Sequence, residues 1–260
     1  AWIFHGPVGV GKFTAALSFA ATLLDPTSQA GLDGFIEPEP ESVVQGLLKA
    51  GTHPDLHVIT KELARFSEEK SVRDSKLITI PKDVIERRLI GPAALRPALS
   101  NAAIVSKVFI VDEAELLDRS PTNAPTQNAI LKTLEEPAPK TVIILVTSGE
   151  DRLLPTIRSR CQRVVFTPLD DQAMKEWETS LGREVPGAQR AWLGQYAAGS
   201  PGADLEALDN GLFEWNERLA PMLSATRGGR FVVDLGSTMA ELADGWAKAW
   251  VEKRPNASKE

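Results

Sequence analysis

Gly6-Pro7-Val8-Gly9-Val10-Gly11-Lys12 follows a short apolar run, Trp2 to His5, and precedes a breaker-free stretch of small and apolar residues from Thr14 to Leu24. A glycine-rich turn between strand and helix aims backbone N–H groups at phosphate oxygens, and the lysine that closes it reaches the terminal phosphates. Gly6, Gly9, Gly11 and Lys12 are therefore candidate nucleotide-binding residues. The strict pattern places Ser or Thr directly after the lysine to ligate Mg²⁺, and this chain has Phe13 there. Thr14 does not replace it, because one residue along a helix turns the side chain by about 100°. The plain alternative is a structural glycine turn.

Two carboxylates, Asp112 and Glu113, close the apolar run Val108 to Val111. At a strand tip the first can hold Mg²⁺ through water and the second can polarise an attacking water. Thr147 ends a further run, Thr141 to Thr147, where a hydroxyl could contact a γ-phosphate; a turn hydroxyl or helix cap is the simpler reading of that residue alone. Thr156 to Gln162 carries arginines just before another short strand, where a guanidinium can stabilise transition-state charge in a neighbouring subunit. Cys161 has no histidine or metal cluster beside it and reads as a packing residue. His5, His53 and His57 form no metal spacing, and His53-Pro54-Asp55 reads as a turn.

The elements that must position these groups are legible as continuous β-rich runs at 2–5, 56–60, 108–111, 141–147 and 163–166, alternating with helical stretches at 14–24, 84–99 (broken at Gly91-Pro92) and 126–135. Continuous apolar strands separated by helices imply an α/β fold with a parallel sheet covered on both faces. Residues 25–42 are acidic and Pro-rich and read as a loop, and residues 61–76 as a charged, solvated excursion. Beyond Thr167 the pattern is helical. Leu235, Met239, Leu242, Trp246 and Trp250 share one helical face, which by default is core, with a subunit contact as the other reading.

The 260 residues are 43% apolar and 25% charged, the balance of a globular protein with a buried core. The formal charge of −6 builds in no bulk attraction to nucleic acid. A single cysteine excludes an internal disulfide and a multi-thiolate zinc site, and fits a reducing, cytoplasmic setting. No run of eighteen apolar residues is present, and the start lacks a signal-peptide pattern, so a membrane partner is not expected and the chain reads as a fragment of a longer one.

Taken in order, GPVGVGK, AGTHPDLHVI, KVFIVDEAELL, NAILKTLEEP, TVIILVTSGEDRLLPTIRSRCQ and GSPG resemble a subunit of the AAA+ clamp-loader family over nearly the first 210 residues. The resemblance implies a P-loop module with a five-stranded parallel sheet at 1–167, a helical lid at 168–209 and a partial helical collar at 210–260. It implies an accessory subunit of a DNA-directed DNA polymerase, working in a hetero-pentamer with tau/gamma and delta subunits to place a sliding clamp on primed DNA. Carried over by position, Lys12 is the phosphate lysine, Asp112 and Glu113 the metal and water carboxylates, Thr147 the first sensor, and Arg160 the finger offered to a neighbour's ATP. Against that pattern, Phe13 removes the metal hydroxyl, and Gly202 stands where hydrolysing relatives carry a second-sensor arginine. Many relatives also carry a four-cysteine zinc module after the first helix, and here it is absent. The expectation is a subunit that hydrolyses little or no ATP on its own Mg²⁺ site; a self-sufficient ATPase motor using Lys12, Asp112, Glu113 and Thr147 is the alternative.

Overall fold

The computed structural model describes the chain except for residues 32–33, 69, 74–78, 100–103, 119–123, 183–184 and 254–260, so parts of the 61–76 excursion and the end of the 210–260 segment lie outside the described residues. The chain divides into two compact units, Ala1–Thr167 and Pro168–Glu260. In the first, strands β1 (Trp2–His5), β2 (Leu56–Ile59), β3 (Lys107–Val111), β4 (Thr141–Thr147) and β5 (Gln162–Val165) form one sheet in the order β2-β3-β4-β1-β5. Every pairing is parallel. This is the α/β class that the sequence pattern implies.

Parallel neighbours need crossovers, which are helices α1 (Lys12–Leu24), α2 (Val43–Lys49), α3 (residues 82–94), α4 (Pro125–Glu135) and α5 (Pro155–Arg158). Successive strand side chains point to opposite faces, so each apolar run feeds two cores. Ile3, Phe109, Val111, Ile143 and Leu145 pack with Ile85 and Leu89 of α3 and Ile130 and Leu134 of α4. Phe4, Val108, Ile110, Ile144 and Val146 pack with Ala16, Ala20 and Leu24 of α1 and Val44 of α2. Alanines four residues apart on α1 let that helix lie close to the sheet.

Three local expectations change. The 25–42 stretch is not all loop: Gln29–Ala30 and Ile36–Glu37 pair as a short antiparallel ribbon. The helix expected over 84–99 spans 82–94 and runs through Gly91-Pro92 unbroken. Its middle turn, Glu86–Ile90, is a π turn, and the wider winding takes the proline ring away from the carbonyl it would strike in a regular helix.

Among the described residues the second unit is all helical: α6 (Asp171–Ser180), α7 (Gly187–Ala197), α8 (Pro201–Asp209), α9 (Leu212–Arg227) and α10 (Leu235–Lys253). Asp170 caps α6 by accepting the Ala173 N–H at 2.8 Å, and Ser200 caps α8 through the Ala203 N–H at 3.3 Å. The stripe on α10 corrects the default core reading. Leu242 is buried, but Met239, Trp246 and Trp250 are 48%, 41% and 37% exposed. The α10 helix packs on α9, which buries none of its own residues. Among the described residues no helix is long and apolar enough to cross a membrane.

Asp204, buried in the first turn of α8, has no partner for either carboxylate oxygen among the described residues. Burial first, and then the charge of Glu178, push its pKa above the ordinary carboxylate value. A raised folded-state pKa means that folding loses stability as pH climbs from the unfolded value through the folded one. Asp204→Asn removes that penalty. Its melting temperature at pH 7 is expected to rise by about 2 °C or more, and calorimetry should show the gain shrinking as pH falls toward about 4.

Candidate functional site

All five strands run the same way, so the loops that leave β1, β3 and β4 open on one edge of the sheet. Ligands of open α/β sheets gather at that edge. The first of these loops is Gly6 to Gly11. Gly6, Gly9 and Gly11 take φ of 152°, 80° and 86°, conformations that a residue with a Cβ rarely adopts. At Gly6 a Cβ would also stand 2.1 Å from the Phe166 carbonyl oxygen. Gly11 precedes the first turn of α1, whose free N–H groups and helix dipole favour an anion.

Lys12 is 6% exposed. Its ammonium donates to the Gly6 carbonyl at 2.8 Å, to the Pro7 carbonyl, and to Ser148 Oγ at 3.0 Å. Burial pulls its pKa down, while the charges of Glu115 and Asp112 act the other way. Asp112 accepts the N–H of Glu113 at 2.9 Å. Its own pKa is raised, by burial first and against the effect of that bond, with Glu113 and Glu115 adding to the rise and Lys12 opposing it.

Thr147 is buried at the end of β4 and donates to Glu115 Oε2 at 2.7 Å, while the other carboxylate oxygen accepts the Ser148 N–H at 3.2 Å. Gly149 N–H closes the turn onto Thr147 Oγ1 at 3.0 Å. Glu115 thus ties the end of β4 to the loop after β3, and Ser148 meets Lys12. Neither Glu115 nor Ser148 is a candidate from sequence. Lys12, Asp112 and Thr147 are brought together; Glu113 is held differently. Its φ is 47°, a left-handed conformation costing about 1 kcal/mol for a residue with a side chain. Its carboxylate pairs with Lys61 at 3.0 and 2.9 Å, and that bond is the main cause of the raised Lys61 pKa.

The loop and helix terminus suit a chain of phosphates, whereas the metal side is thinly furnished. Phe13 offers no oxygen where the pattern places the magnesium hydroxyl ligand; its side chain lines a pocket with Leu17, Leu48 and Leu56. Thr14 is exposed. Among the described residues no group of three or more His, Cys, Asp or Glu could hold a metal ion. Burial raises the Cys161 thiol pKa, which leaves it a poor nucleophile.

Arg160 belongs to the other edge. Gln162 pairs with Trp2 at the start of β1, and the Gln162 N–H donates to the Ala1 carbonyl at 3.0 Å. The guanidinium therefore lies beside the beginnings of the strands, about 13 Å of strand away from the edge that carries Lys12. Arg160 is exposed. It donates to the Thr156 carbonyl at 2.8 Å and pairs with Glu135 at the end of α4.

The α4 helix also sets the segment before it. Asp118 accepts the Thr126 and Gln127 N–H groups at 3.3 and 2.8 Å, capping the start of α4. Fully buried Gln127 then donates to the Arg152 carbonyl at 3.1 Å and accepts the Leu154 N–H at 2.7 Å. These bonds fix the lead into α5 and so the place of Arg160. Sequence reading misses both residues, and no local signal marks them.

Residues 1–170 match the family model described as DNA polymerase III, delta subunit. The chain is 33% identical over 208 residues to DNA polymerase III subunit delta' of Pseudomonas aeruginosa, an alignment covering 80% of this chain and 54% of that one. The corresponding protein of Escherichia coli is 32% identical over 181 residues, covering 68% and 46%, and that of Bacillus subtilis is 32% identical over 178 residues, covering 68% and 44%. The chain spans about half the length of these curated relatives.

Proposed function

The chain belongs to the DNA polymerase III delta-prime subunit family, and from that premise we propose that it works in a clamp-loading ring, offering Arg160 to the ATP of an adjacent subunit while burning little or none itself. The observation that carries this reading is the position of Arg160: exposed, held by α4 and α5, and a strand length away from the chain's own glycine-rich loop. From there it cannot serve a triphosphate on that loop, but it can serve one bound by a neighbour.

What surrounds Lys12 supports the second half. The α1 terminus, Lys12, Asp112 and Thr147 suit phosphate binding, and when nucleotide is bound the metal would supply Lewis-acid stabilisation of the phosphates. This chain's contribution to holding a metal is limited to Asp112, because Phe13 has no oxygen to offer and Glu113 is paired with Lys61. Gly202, on α8, presents no side chain where hydrolysing relatives carry a guanidinium. Lys12 must also give up bonds to its own loop before it can reach a phosphate.

The test is reconstitution. The chain, combined with tau/gamma and delta subunits, is expected to be required for loading a sliding clamp onto primed DNA. Alone with ATP and Mg²⁺ it is expected to turn over no faster than Lys12→Ala. Magnesium-dependent turnover by the isolated chain, at least about ten-fold above that variant, would establish the motor reading, which the convergence of Lys12, Asp112 and Thr147 favours.

A further inference from the structure

Glu115 stands at the lysine end of the glycine-rich loop and has no part in the reading above. The end of β4 fixes its carboxylate from two sides: Oε2 accepts the Thr147 hydroxyl at 2.7 Å and Oε1 the Ser148 N–H at 3.2 Å. Ser148 Oγ in turn accepts from the Lys12 ammonium at 3.0 Å. Of the two carboxylates whose charges act on Lys12, Glu115 has the larger effect, ahead of Asp112. Glu115 is half-buried, neither sealed in the core nor fully screened by solvent.

A glycine-rich loop takes the first two phosphates of a nucleotide on its backbone N–H groups, and its lysine reaches toward the terminal ones. A diphosphate is therefore served by the loop and the start of α1 alone. A third phosphate belongs at the lysine end, where it meets the held carboxylate of Glu115, like charge against like. The groups that could offset that repulsion are missing or engaged. Thr147 is 1% exposed and its hydroxyl is bonded to Glu115 itself. Phe13, directly after the lysine, has no oxygen with which to hold a neutralising metal.

We propose that the loop at 6–12 is a nucleoside diphosphate site, and that Glu115 sets this preference by repelling a third phosphate. The inference rests on the reading of that loop as a phosphate site and extends it to the class of nucleotide accepted. It also gives the low turnover expected of this chain a cause at the binding step, because the hydrolysable nucleotide is the one held weakly.

The test is calorimetric titration of the full chain with ADP and with ATP, in EDTA so that no metal masks the terminal charge and no hydrolysis occurs. ADP is expected to bind with a Kd below about 1 mM, and ATP at least about ten-fold more weakly. Glu115→Gln keeps an oxygen for the Thr147 hydroxyl and removes only the charge. It should bring ATP to within about three-fold of ADP while moving ADP itself by less than about three-fold. The γ-methyl ester of ATP, which keeps the triphosphate chain with one charge fewer, should bind the unaltered chain at least about three-fold more tightly than ATP, a result that depends on no variant folding. Equal affinity for ADP and ATP, a preference that survives Glu115→Gln, or an ester that binds no better than ATP would each overturn the role of Glu115 and leave the loop a phosphate site. No saturation by either nucleotide up to about 5 mM would overturn the phosphate-site reading as well, without touching the role of Arg160.

Discussion

Arg160→Ala is expected to lower ATP turnover at the adjacent subunit's site in the reconstituted ring by about a thousand-fold, the effect such a guanidinium has where it completes a phosphoryl-transfer site in trans. Single-turnover hydrolysis in the assembled ring is the measurement. Lys12→Ala in the same ring should leave that rate within about two-fold, because Lys12 faces this chain's own loop. Arg160→Lys should not rescue it, since an ammonium lacks the planar fork that engages several phosphate oxygens together. The loss will not come from unfolding. The Arg160–Glu135 pair is exposed at both ends, and such pairs contribute about 0–1 kcal/mol. Normal turnover with Arg160→Ala, together with severe loss for Lys12→Ala, would reverse the roles assigned here.

The largest expected effect on stability is at Gly6. Two obstacles meet there: a φ of 152°, and a Phe166 carbonyl oxygen that would lie 2.1 Å from an added Cβ. The Phe166 N–H donates to the His5 carbonyl at 2.7 Å, so the two backbones are bonded face to face and neither can withdraw cheaply. Gly6→Ala should therefore cost about 3 kcal/mol or more. Gly11→Ala is the control. Its φ of 86° is strained for alanine, but the added Cβ meets nothing within 4 Å, so only the conformational cost of about 1–2 kcal/mol applies. Urea unfolding of both variants measures the difference. Equal losses would show that the close approach to Phe166 relaxes without penalty.

What could be read from the sequence was local. The sheet strands announce themselves as uninterrupted apolar runs because both faces are buried, and the glycine-rich loop is visible because its glycines and lysine sit within seven residues. Asp112 and Thr147 are legible as the ends of such runs. The rest of the site depends on partners far apart in the chain. Lys12 and Ser148 are 136 residues apart, and Thr147 and Glu115 are 32 apart. A serine or glutamate in a loop carries no mark of such a partner. Gln127 lies hidden in an ordinary helical pattern, its amide serving backbone groups 25 and 27 residues on. Gly91-Pro92 misled for a related reason: a proline reads as a helix stop unless the winding around it changes, and winding has no residue code. The α10 stripe has the period of a core face, but period alone does not say whether a neighbour exists to cover it.

The sheet's polarity has a consequence for assembly. A body that presents its guanidinium beside the strand beginnings and its glycine-rich loop beside the strand ends is unlike at its two poles. If Arg160 serves a neighbour's triphosphate, as proposed, a two-fold partner would bring like surfaces together and waste both, and productive association would be head to tail, with a direction. In such a series each position is distinguishable by what stands ahead of it and behind it. On the proposed function, a member with a donor pole and a poorly equipped receiving pole would sit at a terminus of that series, where nothing is asked of the receiving side.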